Sequence, residues 1–395
     1  MRIGIDARFV GPEGTGLGKY TEKLILNLVL LDSRNQYFIF LKDSNWDYLA
    51  LKSKNFKKVP ANIPWYSIEE QLRMEQIYNS KNLDLVHIPH FNAPLFYRGK
   101  FIVTVHDLIH HHFKEQSTTT RNLLFFKTKR IGYQIVIKNA IKRSQKIIVP
   151  SNFVKEEIFS NFKVKPAKIV VTYEAAEEEY SKNWKLESEV LLRKIGNWKL
   201  PKRNPFLVYV GNAYPHKNLN NLLDAFKLLV DSSQSAVHRL KKTVNSEPTT
   251  DNLRLIIVCP RDIFSQRLQS EIKNRNLEDK VEIKGYLKPD ELSKLFQKAQ
   301  AYVFPSLSEG FGIPGLNAMA AGLPVVCSDI PVLHEVYGEA AIYFNPHDPK
   351  DIAGKIKKVL TSDTGSELVK KGREQVKKYS WQKMAQETLE VYEST

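Results

Sequence analysis

The feature that most constrains this chain is a pattern used twice. Short apolar runs of strand length alternate with longer segments of helical spacing, first from residue 2 to about residue 180 and again from residue 206 onward. Strands that alternate with helices predict parallel sheets covered by helices on both faces. In the first series, 2–6, 36–41, 84–88, 101–105, 146–149 and 168–172 read as strands. Residues 17–31 set Tyr20, Leu24, Leu28 and Leu31 on one helical stripe. Ser67 and Glu70 form a capping-box start for a helix to about Ser80, 121–143 reads as a long helix, and Pro150-Ser151-Asn152 as a helix start. In the second series the strands are 206–211, 253–259, 281–285, 301–304, 324–327 and 341–344.

Between the two series, 183–205 is lysine-rich, ends in KLPKRNP and reads as a linker; 231–252 is polar and reads as an exposed insertion. The expected fold is α/β, with two doubly wound Rossmann-like domains, 1–182 and 206–375, facing a cleft. A C-terminal helix within 376–395 is free to cross back to the first. Ligands of such sheets bind beyond the carboxyl ends of the strands.

A chain of 395 residues suits two cores better than one. The formal charge of +16, from 59 basic and 43 acidic side chains, attracts polyanions and says nothing of fold. Cys259 and Cys327 end apolar runs without a CxxC spacing, as buried reduced thiols of a cytosolic protein do. The opening MRIGIDARFV enters a strand directly, so no secretory leader is expected, and no run approaches the ~18 apolar residues of a membrane span.

Four segments can carry chemistry. The turn GPEGTGLGKY holds Gly11, Gly14, Gly16 and Gly18, where a bare backbone can approach an anion at a helix N-terminus. It lacks the G-x-G-x-x-G spacing and an acidic partner on the second strand, which disfavours a dinucleotide site. His106 and Asp107 follow a strand; the imidazole can act as hydrogen-bond donor or base, or Asp107 can simply cap a helix beside a satisfied histidine. His110, His111 and His112 cannot all face one ion, so a solvated loop without metal is expected. In GNAYPHKN, Lys217 near a helix start suits a phosphate, the plain alternative being a solvated lysine. In PSLSEGFGIPGLNA, Glu309 can accept from sugar hydroxyls, the amides from Phe311 onward lie beside it, and Pro314 opens a helix.

Taken in order, RIGIDARFV, GTGLGKYT, TVHDLIH, VPSNFVKEEI, YVGNAYPHKNLNNLLDAF, SEGFGIPGLNAMAAGLPVV and HEVYGEAAIYFNP resemble the family-four retaining glycosyltransferases of GT-B fold, within them the mannosyltransferase-like group, nearly end to end. The resemblance implies a metal-independent hexosyltransferase, mannose favoured, with a nucleotide-sugar donor as co-substrate, no other cofactor, and a glycan or lipid-linked acceptor. It implies that His106 lies over the reacting sugar, Lys217 meets the donor diphosphate and Glu309 holds the outer sugar hydroxyls. Gly16, Gly18, His216, Gly310, Phe311, Gly312 and Asn317 fall on the donor side.

Two positions depart from the family pattern. Asn317 stands where a second glutamate binds the ribose, and His216 where an arginine precedes the lysine. An amide lacks the charge-assisted bond of a carboxylate and imidazole lacks the guanidinium fork. Both weaken the nucleotide side, so a catalytically weak nucleotide-sugar or glycan-binding protein of the same fold is the alternative, with a GT-B nucleotide-sugar epimerase as a third reading.

From residue 116 to 155 there is no Asp or Glu, while Lys138, Lys142, Arg143 and Lys146 occur with Phe125, Phe126 and Tyr133. A basic helix with aromatics suits an anionic membrane surface, the plain alternative being a solvated helix packed on its own domain. No nucleic-acid module is recognisable, so nucleic acid is not an expected partner. The expected location is cytoplasmic, peripheral on the inner face of a membrane.

Overall fold

The computed structural model describes residues 1–11, 14–112, 123–181, 205–239 and 252–395. The chain divides into two compact units, Met1–His112 with Arg121–Glu174 and Ser380–Thr395, and Ala175–Tyr379. The first division falls at Glu174, earlier than the residue 182 read from the sequence. The linker segment 183–205 lies, apart from Pro205, outside the described residues.

The first unit is built on seven parallel strands, β1 (Arg2–Asp6), β2 (Gln36–Leu41), β3 (Phe56–Pro60), β4 (Leu85–Ile88), β5 (Phe101–Thr104), β6 (Ile147–Val149) and β7 (Ile169–Val171). Their order is β3-β2-β1-β4-β5-β6-β7. The sheet is buried on both faces, so its strands other than β3 are mostly apolar runs. β3 has no such run: only Phe56 and Val59 are buried, and Pro60 ends it. At the sheet's edge a strand can be half-polar and lose one donor, which is why its sequence does not announce it.

The helix Thr15–Leu31 buries Tyr20, Leu24, Ile25 and Leu28. On the helix Ile68–Asn79, Ser67 Oγ accepts from the Glu70 amide at 3.0 Å. The return arm of the expected capping box is replaced: Glu70 turns inward, accepts from the Tyr66 amide at 2.7 Å and pairs with Arg8 at 2.6 Å. The terminal helix Trp381–Glu393 packs on Thr15–Leu31, and its buried Tyr392 hydroxyl meets His87 Nδ1 at 2.7 Å. His87 Nε2 reaches Thr104 Oγ1 at 2.8 Å. Burial lowers the His87 pKa to about 3, so this ring is neutral.

The second unit has six parallel strands, β8 (Phe206–Val210), β9 (Arg254–Val258), β10 (Val281–Lys284), β11 (Ala301–Phe304), β12 (Val325–Ser328) and β13 (Ala341–Phe344), ordered β10-β9-β8-β11-β12-β13. Its first helix, Leu219–Arg239, runs on into the expected insertion; 240–251 lie outside the described residues. Cys259 and Cys327 are buried free thiols. Among the described residues no helix is long and apolar enough to cross a membrane. Each sheet reverses its winding once, between β1 and β4 and between β8 and β11, and such a reversal opens a crevice at the carboxyl ends.

At the first reversal sits a buried charge network. Arg8 bridges Asp6 and Glu70, both at 2.6 Å, and Tyr78 donates to Asp6 at 3.0 Å. Two carboxylates share one guanidinium. Burial, with the nearby Asp6 charge, raises Glu70 to about 7 against the pull of Arg8. A carboxyl raised on folding contributes stability that is full below about pH 4.5 and lost as pH rises through about 7. Unfolding midpoints are therefore expected to fall between mildly acidic and alkaline pH by the equivalent of roughly 2 kcal/mol, and Glu70→Gln to flatten that slope. Parallel profiles for the two proteins, measured by thermal denaturation, rule it out.

Candidate active site

The second unit's reversal sets two loops side by side. After β8 the chain makes a single turn, Pro215–Lys217, closed by Asn218 in the left-handed region at φ 58°. The Asn218 side-chain amide donates to the Pro346 carbonyl at 2.7 Å. The loop that follows β11 is tied to this turn by the Leu307 amide, which donates to the His216 carbonyl at 2.8 Å. Across that tie Lys217 Nζ donates to Glu309 Oε1 at 2.5 Å. Both side chains are largely buried, 13% and 10% exposed, with the ammonium 5.7 Å from the Phe304 ring centre. Residues 92 positions apart thus meet at the crevice.

Beyond Glu309 the chain passes through buried Gly310 and Phe311 into the helix Ile313–Ala320. Gly312 caps that helix at φ +101°, a conformation side chains rarely adopt. A Cβ there would lie 2.5 Å from the Tyr337 hydroxyl, which donates to the Gly312 carbonyl. Pro314 stands in the first turn, as expected. Asn317 lies one turn on, buried, and its Oδ1 accepts from the Glu177 amide at 2.9 Å. His216 is 8% exposed, its carbonyl taken by Leu307.

In the first unit His106 follows β5. Its Nδ1 faces Glu174 Oε1 at 3.0 Å and its Nε2 the Pro89 carbonyl at 3.2 Å. The Tyr20 ring stands edge-on to it at 4.7 Å, with its hydroxyl 3.3 Å from Thr104 Oγ1. Asp107 accepts from the Ile109 amide at 2.9 Å, so it caps, and the helix Ile109–His112 replaces the expected solvated loop. There His110 packs against Tyr133 and His111 against Phe162. Among the described residues no three His, Cys, Asp or Glu side chains are grouped as for a metal.

Gly16 and Gly18, read from the sequence as part of the turn, both stand in the first turns of the helix Thr15–Leu31, and they differ. Gly16 is exposed, with open space where a Cβ would stand; Gly18 is buried against the Phe9 and Gly11 carbonyls. Sequence reasoning missed Glu174 and Tyr20. Glu174 is one of four glutamates in TYEAAEEE, and nothing local distinguishes it.

The family model for Glycosyltransferase Family 4 matches residues 47–179, and that for Glycosyl transferases group 1 matches 193–380. The O-antigen chain mannosyltransferase RfbU of Salmonella typhimurium is 28% identical over 362 residues, 89% of this chain and 88% of that protein. O-antigen chain mannosyltransferase B of Escherichia coli is 25% identical over 395 residues, covering 96% of each. The solved sucrose-phosphate synthase of Thermosynechococcus elongatus superposes with a TM-score of 0.74 at 18% identity, covering 100% of this chain and 98% of that one. This chain is a family-four glycosyltransferase.

In this glycosyltransferase the described sites fall into two sets. Lys217, Glu309, Gly310, Phe311, Gly312, Asn317 and His216 belong to the second unit; His106, Gly16 and Gly18 belong to the first. The Lys217–Glu309 pair can open to a ligand that brings an anion to the ammonium and hydroxyl donors to the carboxylate, because such a ligand replaces what each partner gives up. Gly18→Ala is expected to cost about 1–3 kcal/mol, since the Cβ meets rigid backbone. Gly16→Ala is expected to leave stability unchanged or raise it by up to about 1 kcal/mol. Equal unfolding midpoints for both variants contradict this division.

Proposed function

We propose that the chain is a retaining, metal-independent hexosyltransferase that moves mannose from a nucleotide-sugar to a glycan or lipid-linked acceptor, working peripherally at an anionic membrane surface. The observation that carries the reading is the 2.5 Å Lys217–Glu309 contact beside the N-terminus of the helix Ile313–Ala320. Cleavage of the bond between the sugar's anomeric carbon and the diphosphate leaves an additional negative charge on the diphosphate. Lys217 and the amides at that helix start stabilise it in a partly buried site, where a fixed cation acts more strongly than in water. Glu309, released by Lys217, accepts from the outer hydroxyls of the sugar, with the backbone from Gly310 to Gly312 at its side.

Family resemblance supports attack by the acceptor from the leaving-group face with no enzymic nucleophile. His106 contacts a hydroxyl of the reacting sugar by exchanging its Pro89 partner, while Glu174 and Tyr20 hold the ring. The mannosyltransferases of Salmonella and Escherichia coli support mannose and polysaccharide synthesis over other sugars and products.

Lys217→Ala is expected to lower transfer from the preferred nucleotide-sugar by about a hundredfold or more, and Glu309→Gln by at least about tenfold, with retained anomeric configuration and full activity in a chelator. Purified protein and a nucleotide-sugar panel test this; wild-type turnover in both variants removes the pair from the mechanism.

A catalytically weak binding protein is the second reading, and the placement of two departing residues favours it. Asn317 Oδ1 is engaged by the Glu177 amide and His216 is buried. If the ribose role stands, Asn317→Glu tightens free nucleotide by about tenfold, the scale of one charge-assisted hydrogen bond. Unchanged affinity in calorimetric titration counts against that role.

A further inference from the structure

Beyond the carboxyl ends of β1 and β4, the first unit carries an aromatic cluster that the proposed reaction does not use. Phe9 follows β1, and His90 and Phe91 follow β4. Trp65 stacks on Phe9 with ring centres 4.4 Å apart, while Tyr66 and His90 stand 6.1 and 5.4 Å from the same ring. His90 lies 3.9 Å from Phe91, and its Nε2 is 3.2 Å from the Tyr66 hydroxyl. The preceding residue, Pro89, has its carbonyl 3.2 Å from His106 Nε2. The cluster therefore adjoins the residue read as contacting the reacting sugar.

The fold bears two costs here. Tyr66 holds φ at +56°, a left-handed conformation that glycine and asparagine tolerate and tyrosine rarely adopts, and its ring is still 51% exposed. The Trp65 indole nitrogen and His90 Nδ1 are buried without a hydrogen-bond partner, and His90 is only 7% exposed. One carboxylate holds the arrangement. Glu70 accepts from the Tyr66 amide at 2.7 Å and from the side-chain amide of Asn92, two residues past His90. Arg8 in turn ties Glu70 to Asp6. A loop that served only as a turn would be more stable with glycine at 66 and an apolar side chain at 90.

A half-exposed aromatic ring beside buried groups that lack partners suits a ligand with an apolar face and several hydroxyls. A pyranose ring is such a ligand: its C–H face packs on an aromatic ring and its hydroxyls bond the polar atoms alongside. An anion is disfavoured. Burial, then the charges of His106 and His110, hold the His90 pKa well below its ordinary value, so the ring is neutral. Arg8 is already taken by Asp6 and Glu70. We propose that Tyr66 and His90 form the subsite for a sugar ring of the acceptor, beside His106. Tyr66 supplies the stacking face, a sugar hydroxyl takes the place of the Tyr66 hydroxyl at His90 Nε2, and Glu70 is the positioning residue. This rests on the transferase reading and narrows the acceptor group bound here to carbohydrate, as opposed to the phosphate of a lipid carrier.

The test is saturation-transfer NMR on the full chain with the methyl α-pyranosides of mannose, glucose, galactose and N-acetylglucosamine. At least one is expected to receive saturation at its ring C–H protons, and to do so equally in Glu309→Gln, which alters the second unit's site. Tyr66→Ala should weaken that sugar's binding by about tenfold or more, the scale of one aromatic contact. Tyr66→Phe keeps the stacking face and should stay within about threefold of wild type. Tyr66→Gly suits the left-handed backbone and keeps the amide that Glu70 binds, and should lose binding as Tyr66→Ala does. In a transfer assay, Tyr66→Ala and Tyr66→Gly should raise the acceptor KM and leave the donor KM unchanged.

Wild-type saturation in both Tyr66→Ala and Tyr66→Gly overturns the proposal, as does wild-type protein that saturates none of the pyranosides. Binding of a free nucleoside diphosphate or of dodecyl phosphate that is lost with the Tyr66 ring, with no pyranoside bound, also overturns it. Transfer with an unchanged acceptor KM in both variants keeps the transferase reading and removes the subsite. Sugar binding that depends on Tyr66 in a protein without transfer activity supports the subsite and sinks the transferase reading instead.

Discussion

The second unit depends on one reversal. Because β8 is central and its neighbours β9 and β11 are wound to opposite sides, the loops that leave β8 and β11 have nowhere to go but alongside each other. The Leu307 amide bound to the His216 carbonyl fixes that approach, and Lys217 meets Glu309 across it. Neither residue is informative alone. A buried ammonium and a buried carboxylate are each costly, and together they form a pair that a charged, hydroxyl-rich ligand can replace. Gly312 in the left-handed region and the Tyr337 hydroxyl on its carbonyl hold the helix start in place, so the amides beside Glu309 are set before any ligand arrives.

In the first unit the comparable order comes from buried polar groups. The terminal helix contributes Tyr392, which meets His87; His87 reaches Thr104, and Thr104 lies beside the Tyr20 hydroxyl. The Tyr20 ring then supports His106 edge-on, while Glu174 holds its Nδ1. With His87 neutral, the chain from Tyr392 to Tyr20 carries no charge, which is how a polar run of this length is tolerated in a core. The last residues of the sequence thereby bear on the orientation of a residue near position 100.

Much of this was legible in the residues. Short runs rich in apolar residues marked twelve of the thirteen strands found among the described residues, because a strand buried on both faces has few polar positions to blur its signal. β3 escaped because Lys57, Lys58 and Pro60 break up its two buried apolar residues. The loops at Lys217 and Glu309 were legible from their position after strands, and the helix start beyond Glu309 from Pro314. What escaped is tertiary. Glu70 was read as a capping-box arm and instead turns inward to Arg8, since a buried guanidinium competes more strongly than an exposed amide. Glu174 looked like its glutamate neighbours, and Asn317 and His216 were read for their ligand chemistry before their burial was known.

The central claim is that Lys217 and Glu309 part to hold one small molecule. A crystal structure of the protein soaked with its preferred nucleotide-sugar tests this most directly. The account predicts Lys217 Nζ on a diphosphate oxygen, Glu309 on a hydroxyl of the transferred sugar, and the contact between them broken. A bound nucleotide-sugar that leaves the ammonium on the carboxylate contradicts it.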